Sequence, residues 1–170
     1  KLEYSGTSAV NALEATGRPV KPNHDRMYRA LVLNYDDLNL EVEDPALAAS
    51  EDDGDYDYLI ICADRWLEHM QPFIDWKESQ GLKTKMWSKT EVMIARGLPP
   101  EDDWLPPHQI MFFLEDEYAA SGFSYLLIVG HPHDIALGYF LFSERSDYEY
   151  SRVAGIDNYP DIGVGRFSVT

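Results

Sequence analysis

Two uninterrupted apolar runs do most to limit what this chain can fold into. Tyr58 to Ala63 reads YLIICA, and Tyr125 to Gly130 reads YLLIVG. Runs of this length without polar alternation suit strands covered on both faces, as in a parallel sheet between layers of helices. The sequence between them fits that plan. Met70, Phe73, Ile74 and the stem of Lys77 recur at helical spacing. Pro72 suits the first turn of that helix and Gly81 its stop, so the piece around Trp66 is expected to be separate or kinked. Leu82 to Trp87 alternates like an edge strand whose lysines discourage edge-to-edge pairing. Ser88 to Pro107 is a Pro- and Gly-bearing connection, with a short helix expected within Lys89 to Arg96. Ile110, Phe113, Leu114 and Tyr118 mark the apolar face of a further helix that ends at Gly122. Ile162 to Phe167 reads as a short buried strand. Strands alternating with helices in this way imply right-handed crossovers and a mainly parallel sheet.

The first part of the chain is less patterned. Lys1 to Asp25 shows no periodicity and reads as an arm or linker. Met27 to Tyr35 is a plausible strand, with Leu38 to Val42 as its partner, and Glu41 to Asp57 is a dense acidic linker. The expected division is therefore an N-terminal arm over 1–55 and a folded α/β unit over 56–170.

Charge narrows the partners. With 14 basic and 30 acidic residues among 170, the formal net charge is −16. A surface of that sign repels phosphate backbones and anionic membranes, which argues against nucleic-acid or membrane binding and suits divalent cations. Cys62 is the only cysteine, so neither an intrachain disulfide nor a cysteine metal cluster can form. Its place inside an apolar strand marks it as a small hydrophobe. A nucleophilic pairing with His131 or His133 is accordingly not expected, although those histidines follow a strand end, where ligand loops of parallel sheets gather. No run reaches transmembrane length, and KLEYSGTSAV at the start lacks the apolar core of a signal peptide.

The last quarter, SDYEYSRVAGIDNYPDIGVGRFSVT, is the most distinctive stretch. Asp147, Asp157 and Asp161 offer oxygen ligands, and Tyr148, Tyr150, Ile156 and Tyr159 offer apolar anchors. Gly155, Gly163 and Gly165 permit turns and close approaches. Asp157 and Asp161 could equally make Asx turns. Arg166, too costly to bury alone, is expected to pair with a carboxylate or with carbonyls. Trp76 is expected to pack in the core or to cover a helix.

Three blocks in order resemble the gingipain family of cysteine peptidases. The first is YDYLIICAD followed by PFIDWKESQGLKT, a strand and then a helix ending W-K-x-x-x-G. The second is YLLIVGHPHDI, a strand and then a loop ending D-I. The third is Ser146 to Ser168, with its S-D-x-x-Y start, G-x-D-x-Y turn and closing G-R-F-S.

That resemblance implies a caspase-like, flavodoxin-like three-layer sandwich, of which this chain would be the first half of a two-subdomain catalytic unit. It implies a cysteine endopeptidase whose histidine, in a G-H-G loop, and whose cysteine both lie outside the chain. The catalytic partner would be a second subdomain or chain, the substrate a protein or peptide, and the location secreted or cell-surface. It also implies a structural calcium held by the Ala154 carbonyl, the Asp157 carboxylate, the Tyr159 carbonyl and the Asp161 carboxylate. His131 stands where the family has an acidic ligand, and Asp134 is the substitute within reach of that loop in sequence. Two other classes fit the bare pattern: a catalytically inactive scaffold of the same fold, and a flavodoxin-like ligand-binding module. Against the latter, CADRWLEH follows the first apolar strand where a Gly-rich phosphate loop would be needed.

Overall fold

The computed structural model describes Asp25, Arg29, Glu41 and residues 56–139, 145–155 and 158–169. The chain separates into two compact units, Lys1–Asp52 and Asp53–Thr170. In the first unit, Asp25 and Arg29 are both helical, and the Arg29 Nε donates to Asp25 Oδ2 at 2.8 Å, one helical turn apart. Arg29 falls within the stretch expected to be a strand, so the strand does not hold at that position. Glu41 belongs to no regular element. The rest of Met27 to Tyr35 and of Leu38 to Val42, with the arm before them, lies outside the described residues.

In the second unit the elements run β1 (Tyr58–Cys62), α1 (Gln71–Ser79), β2 (Thr84–Ser88), α2 (Lys89–Ala95), α3 (Pro107–Ser121), β3 (Tyr125–Val129), β4 (Gly138–Tyr139), β5 (Arg145–Ser146) and β6 (Gly163–Phe167). The main sheet has the order β2-β1-β3-β6, and every pairing in it is parallel. β4 and β5 form a separate antiparallel pair. The register sets Tyr58 beside Thr84 on one side and Tyr125 on the other, and Tyr125 beside Gly163.

Both apolar runs are strands because both of their faces are covered. Leu59, Ile61, Leu126 and Ile128 point to one face and meet Val92 and Met93 of α2 and Ile110, Phe113 and Leu114 of α3. Ile60, Cys62, Leu127 and Val129 point to the other and meet Met70 and Ile74. Leu59 through Cys62 are 0% exposed. Each large side chain so buried contributes about 1.5–3 kcal/mol, which outweighs any local preference. The chain moves outward from β1 to β2 over the α1 face. It returns from β2 across β1 to β3 over the α2–α3 face. Opposite moves on opposite faces keep one crossover hand.

Local signals set the ends. Trp66 sits in a separate 3₁₀ turn, Asp64–His69, and α1 begins after it with Pro72 in its first turn. Ser88 and Glu91 form a reciprocal capping box at the start of α2. Gly122, at φ 64°, closes α3 in the left-handed conformation.

One sequence expectation needs correcting and another is narrowed. β6 is not a buried strand: as the fourth strand it is an edge, its residues alternate between exposed and half-buried, and Phe167 is 45% exposed. Trp76, 53% exposed, is not in the core; its ring lies on the helix surface against that of Phe73, centroids 5.8 Å apart. The apolar stripe of α1 runs through Met70, Phe73 and Ile74, and Trp76 lies at its margin, with the Lys77 ammonium 4.6 Å from its ring centroid.

Candidate functional site

Ligands of open parallel sheets bind beyond the carboxyl ends of the strands, where successive crossovers diverge to opposite faces. Here that switch lies between β1 and β3, whose ends lead into the 3₁₀ turn at Asp64 and the loop 130–137. The Ala63 N–H ties the end of β1 to the Val129 carbonyl of β3 at 2.8 Å, and the Gly130 N–H ties the end of β3 to the Phe167 carbonyl of β6 at 3.0 Å. Gly130 has φ 146°, and a Cβ placed there would sit 3.2 Å from Ala63 Cβ and 3.3 Å from Asp134 Cβ. Only glycine fits both that backbone and that approach.

The loop after Gly130 is tied at nearly every residue. The Asp134 carboxylate accepts from the His131 backbone N–H at 3.0 Å and from Arg65 Nη2 at 2.7 Å. The Asp134 and Ile135 N–H groups return to the His131 carbonyl. The His131 and His133 rings stack, centroids 4.9 Å apart, and His131 Nδ1 accepts from the His133 backbone N–H at 3.2 Å. That bond needs an unprotonated Nδ1.

Arg166 of β6 holds the same loop from below. Its guanidinium makes a forked pair with Asp147, both contacts at 2.7 Å, and donates to the Gly130 and Ile135 carbonyls at 3.0 Å each. The side chain is 7% exposed. The expectation of a carboxylate or carbonyl partner thus holds on both counts, through a planar fork that lysine could not copy.

Of the residues expected to ligate calcium, three are described. Asp161 Oδ2 accepts from the Val153 and Ala154 N–H groups at 2.9 Å each, and the Asp161 and Ile162 N–H groups donate to the Ser151 carbonyl. Asp161 therefore closes the loop on itself. Gly155 takes φ 73°, giving the sharp turn anticipated there. Tyr159 is 78% exposed and so is no apolar anchor. Tyr150 is fully buried, with its hydroxyl on the Ala136 carbonyl at 2.8 Å, while Tyr148 is 41% exposed and its hydroxyl donates to the Asn158 carbonyl. Asp157 and Ile156 lie outside the described residues. Asp134, the substitute ligand, has its Oδ2 engaged by the His131 N–H of its own loop and by Arg65 of the turn after β1. Among the described residues no three His, Cys, Asp or Glu side chains gather as a metal cage would require.

Cys62 is 0% exposed, and its Sγ lies 3.4 Å from the Ala63 carbonyl. Burial, followed by the nearby Asp64 charge, pushes its thiol up from an ordinary value near 9 to about 11. A thiol so held is inert near neutrality. Cys62→Ser is expected to cost about 1–3 kcal/mol by burying a hydroxyl, and iodoacetamide is expected to label the wild type only once it is unfolded. The folded value lies above the unfolded one, so this contribution is complete below pH 9 and is lost as the pH rises toward 11.

One buried charge was missed in the sequence. The Lys89 side chain is 7% exposed and pairs with the Asp103 carboxylate and carbonyl. Asp103 sits at φ 49°, and the lysine holds its carboxyl below the ordinary range, chiefly through their hydrogen bond. This pair pins the connection that leads into α3.

A parallel sheet with helices on both faces, and with tightly tied loops at its carboxyl edge, defines the α/β sandwich class. Residues 51–170 match the family described as Peptidase family C25, and the chain belongs to that family. It is 30% identical over 112 residues to gingipain R2 of Porphyromonas gingivalis strain W83, covering 65% of this chain and 14% of that protein. It is also 30% identical over 112 residues to gingipain R1 of Porphyromonas gingivalis, covering 10% of that protein. Two solved structures share the fold. The complex of Porphyromonas gingivalis RgpB pro- and mature domains gives a TM-score of 0.57 at 26% identity, over 66% of this chain and 25% of that one. The Arg-specific cysteine proteinase gingipain R gives 0.55 at 27% identity, over 70% and 26%. The fold is therefore that of the gingipain caspase-like domains. The chain spans 14% of the length of the first of these curated relatives.

Proposed function

We infer that this chain is the N-terminal catalytic subdomain of a gingipain-like cysteine endopeptidase, and that its task is to support an active site completed by further sequence. The observation that carries this is the edge at β6. Gly163 to Phe167 is an edge strand with no lysine or proline in it, and its one charge, Arg166, is committed inward to Asp147 and the loop carbonyls. Within it Phe167 is half-exposed against the Phe73 ring, and a Cβ on Gly165 would meet nothing within 4 Å. Such an edge suits continuation of the sheet by a second subdomain or chain. The cysteine and histidine of the reaction are assigned to that partner. The thiolate would attack the peptide carbonyl while the imidazole moved the proton. In this division Gly130, Arg166 and Asp147 fix the carboxyl-edge loops against which the partner is placed. Protein or peptide substrates, and a secreted or surface location, go with the family reading. No helix among the described residues is long and apolar enough to cross a membrane.

A structural calcium belongs to the same proposal, with the Ala154 and Tyr159 carbonyls and the Asp157 and Asp161 carboxylates as its ligands. Mixed hard oxygens from one tight loop suit calcium, and the sharp turn at Gly155 supports the geometry. Asp161 already holds two amides with one oxygen, which orients its carboxylate without needing the ion.

The test is a peptidase assay. The chain alone is expected to be inert, and the protein with its second subdomain active. Turnover in the longer protein should survive Cys62→Ser within a few-fold and vanish when the partner's cysteine is replaced. Loss of turnover on Cys62→Ser with the fold intact would overturn the assignment.

A further inference from the structure

A second feature at the carboxyl edge is independent of the peptidase reading. A cleft of about 350 Å³ lies between the start of α3 and the loop 130–137, lined by Trp104, Pro107, Pro132, His133, Ala136, Leu137 and Arg145. That volume falls within the range of ligand sites. We propose that this cleft binds the C-terminal end of a peptide, taking an apolar or aromatic last side chain against Trp104 and the free carboxylate at Arg145 and His133.

Three observations converge on that occupant. The first is charge. In a chain of net charge −16, the ionisable residues lining the cleft are His133 and Arg145, and no carboxylate lines it among the described residues. Arg145 already engages a neighbour, but a guanidinium carries five donors and can share them. The second is shape and polarity. Trp104 is 51% exposed beside Pro107, Pro132 and Leu137, so the walls offer flat apolar surface to a carbon-rich group. A bare phosphate would leave that surface unused. The third is rigidity. The loop wall is fixed by Arg166 on the Ile135 carbonyl and by the Tyr150 hydroxyl on the Ala136 carbonyl, and the opposite wall by Lys89 on Asp103. A cleft held on both sides loses little freedom on binding. Its exposed members, Trp104, His133 and Arg145, place the opening at the surface, where the end of a chain can enter.

The test is calorimetric titration of the chain with three probes: an acetylated alanine peptide ending in phenylalanine with a free carboxylate, the same peptide as its amide, and N-acetylphenylalanine. Saturable binding of the acid is expected, with a change in Trp104 fluorescence. The amide should bind about ten-fold more weakly or worse, since a charge-assisted contact is lost. Arg145→Gln and Trp104→Ala should each weaken the acid by a similar factor, with unchanged circular dichroism. No saturable binding, or equal binding of acid and amide by the wild type, would overturn the proposal without needing any variant. Equal affinity for N-acetylphenylalanine would overturn the peptide assignment in favour of a small-carboxylate site. Failure of this test would leave the peptidase assay unaffected, because the two share no readout.

Discussion

Arg166→Met is expected to be the most damaging single substitution in the folded unit. It removes the forked pair with Asp147 and leaves the Gly130 and Ile135 carbonyls without the N–H donors they now accept from. Losing one partner of a buried ion pair costs about 3–5 kcal/mol, against about 0–1 kcal/mol for a surface pair. The lower end of that range applies, because Asp147 keeps 21% of its side-chain exposure and can be partly rehydrated. Arg166→Lys should recover only part of the loss, since an ammonium cannot reproduce the fork. Denaturant unfolding measures the cost, and hydrogen exchange locates it. The amides of Asp134 and Ile135 should exchange faster than those of β1 and β3. Uniform loss of protection would mean that Arg166 acts on the whole core and not on the loop.

Calcium is expected to raise the melting temperature, and a chelator to lower it. An ion that binds only the folded state stabilises by about 2.7 kcal/mol at one hundred times its dissociation constant. Magnesium should do much less, because it demands a smaller octahedral shell. Asp157→Ala should abolish the calcium response while barely changing the melt in chelator. Asp161→Ala should differ, lowering stability even in chelator, because Asp161 also holds the Val153 and Ala154 amides. Asp161→Asn, which keeps an acceptor oxygen for those amides, should restore the chelator melt and not the calcium response. A wild type indifferent to chelator would remove the ion from the proposal and leave Asp161 as a turn-closing residue alone.

That split at Asp161 shows how far the sequence could be read. Its type and its place in a Gly-bearing turn fitted either an ion ligand or an Asx turn, and the backbone geometry that separates them is not written in the residue type. The two core strands were legible because YLIIC and YLLIV are covered on both faces, so their own residues carry the signal. β6 was not, because being an edge depends on what pairs beside it and not on the strand itself. The need of Arg166 for a partner followed from the cost of burying a charge. The identity of Asp147, 19 residues away, required the fold. The Lys89–Asp103 pair was likewise hidden. The capping box before it was available in the sequence as Ser88 followed three residues later by Glu91. For Trp76 the residue type left core and helix surface both open, and only the fold places it on the surface, against Phe73.

Peptide hydrolysis tests the central claim most directly. The chain should be assayed by itself, then together with the sequence that supplies the second subdomain, under reducing conditions and with calcium present. The expected result is no turnover from the chain alone, turnover from the completed protein, and its loss when the second subdomain's cysteine is replaced while Cys62→Ser is tolerated. Hydrolysis by the isolated chain that is abolished by Cys62→Ser would contradict the assignment of this chain as a supporting half.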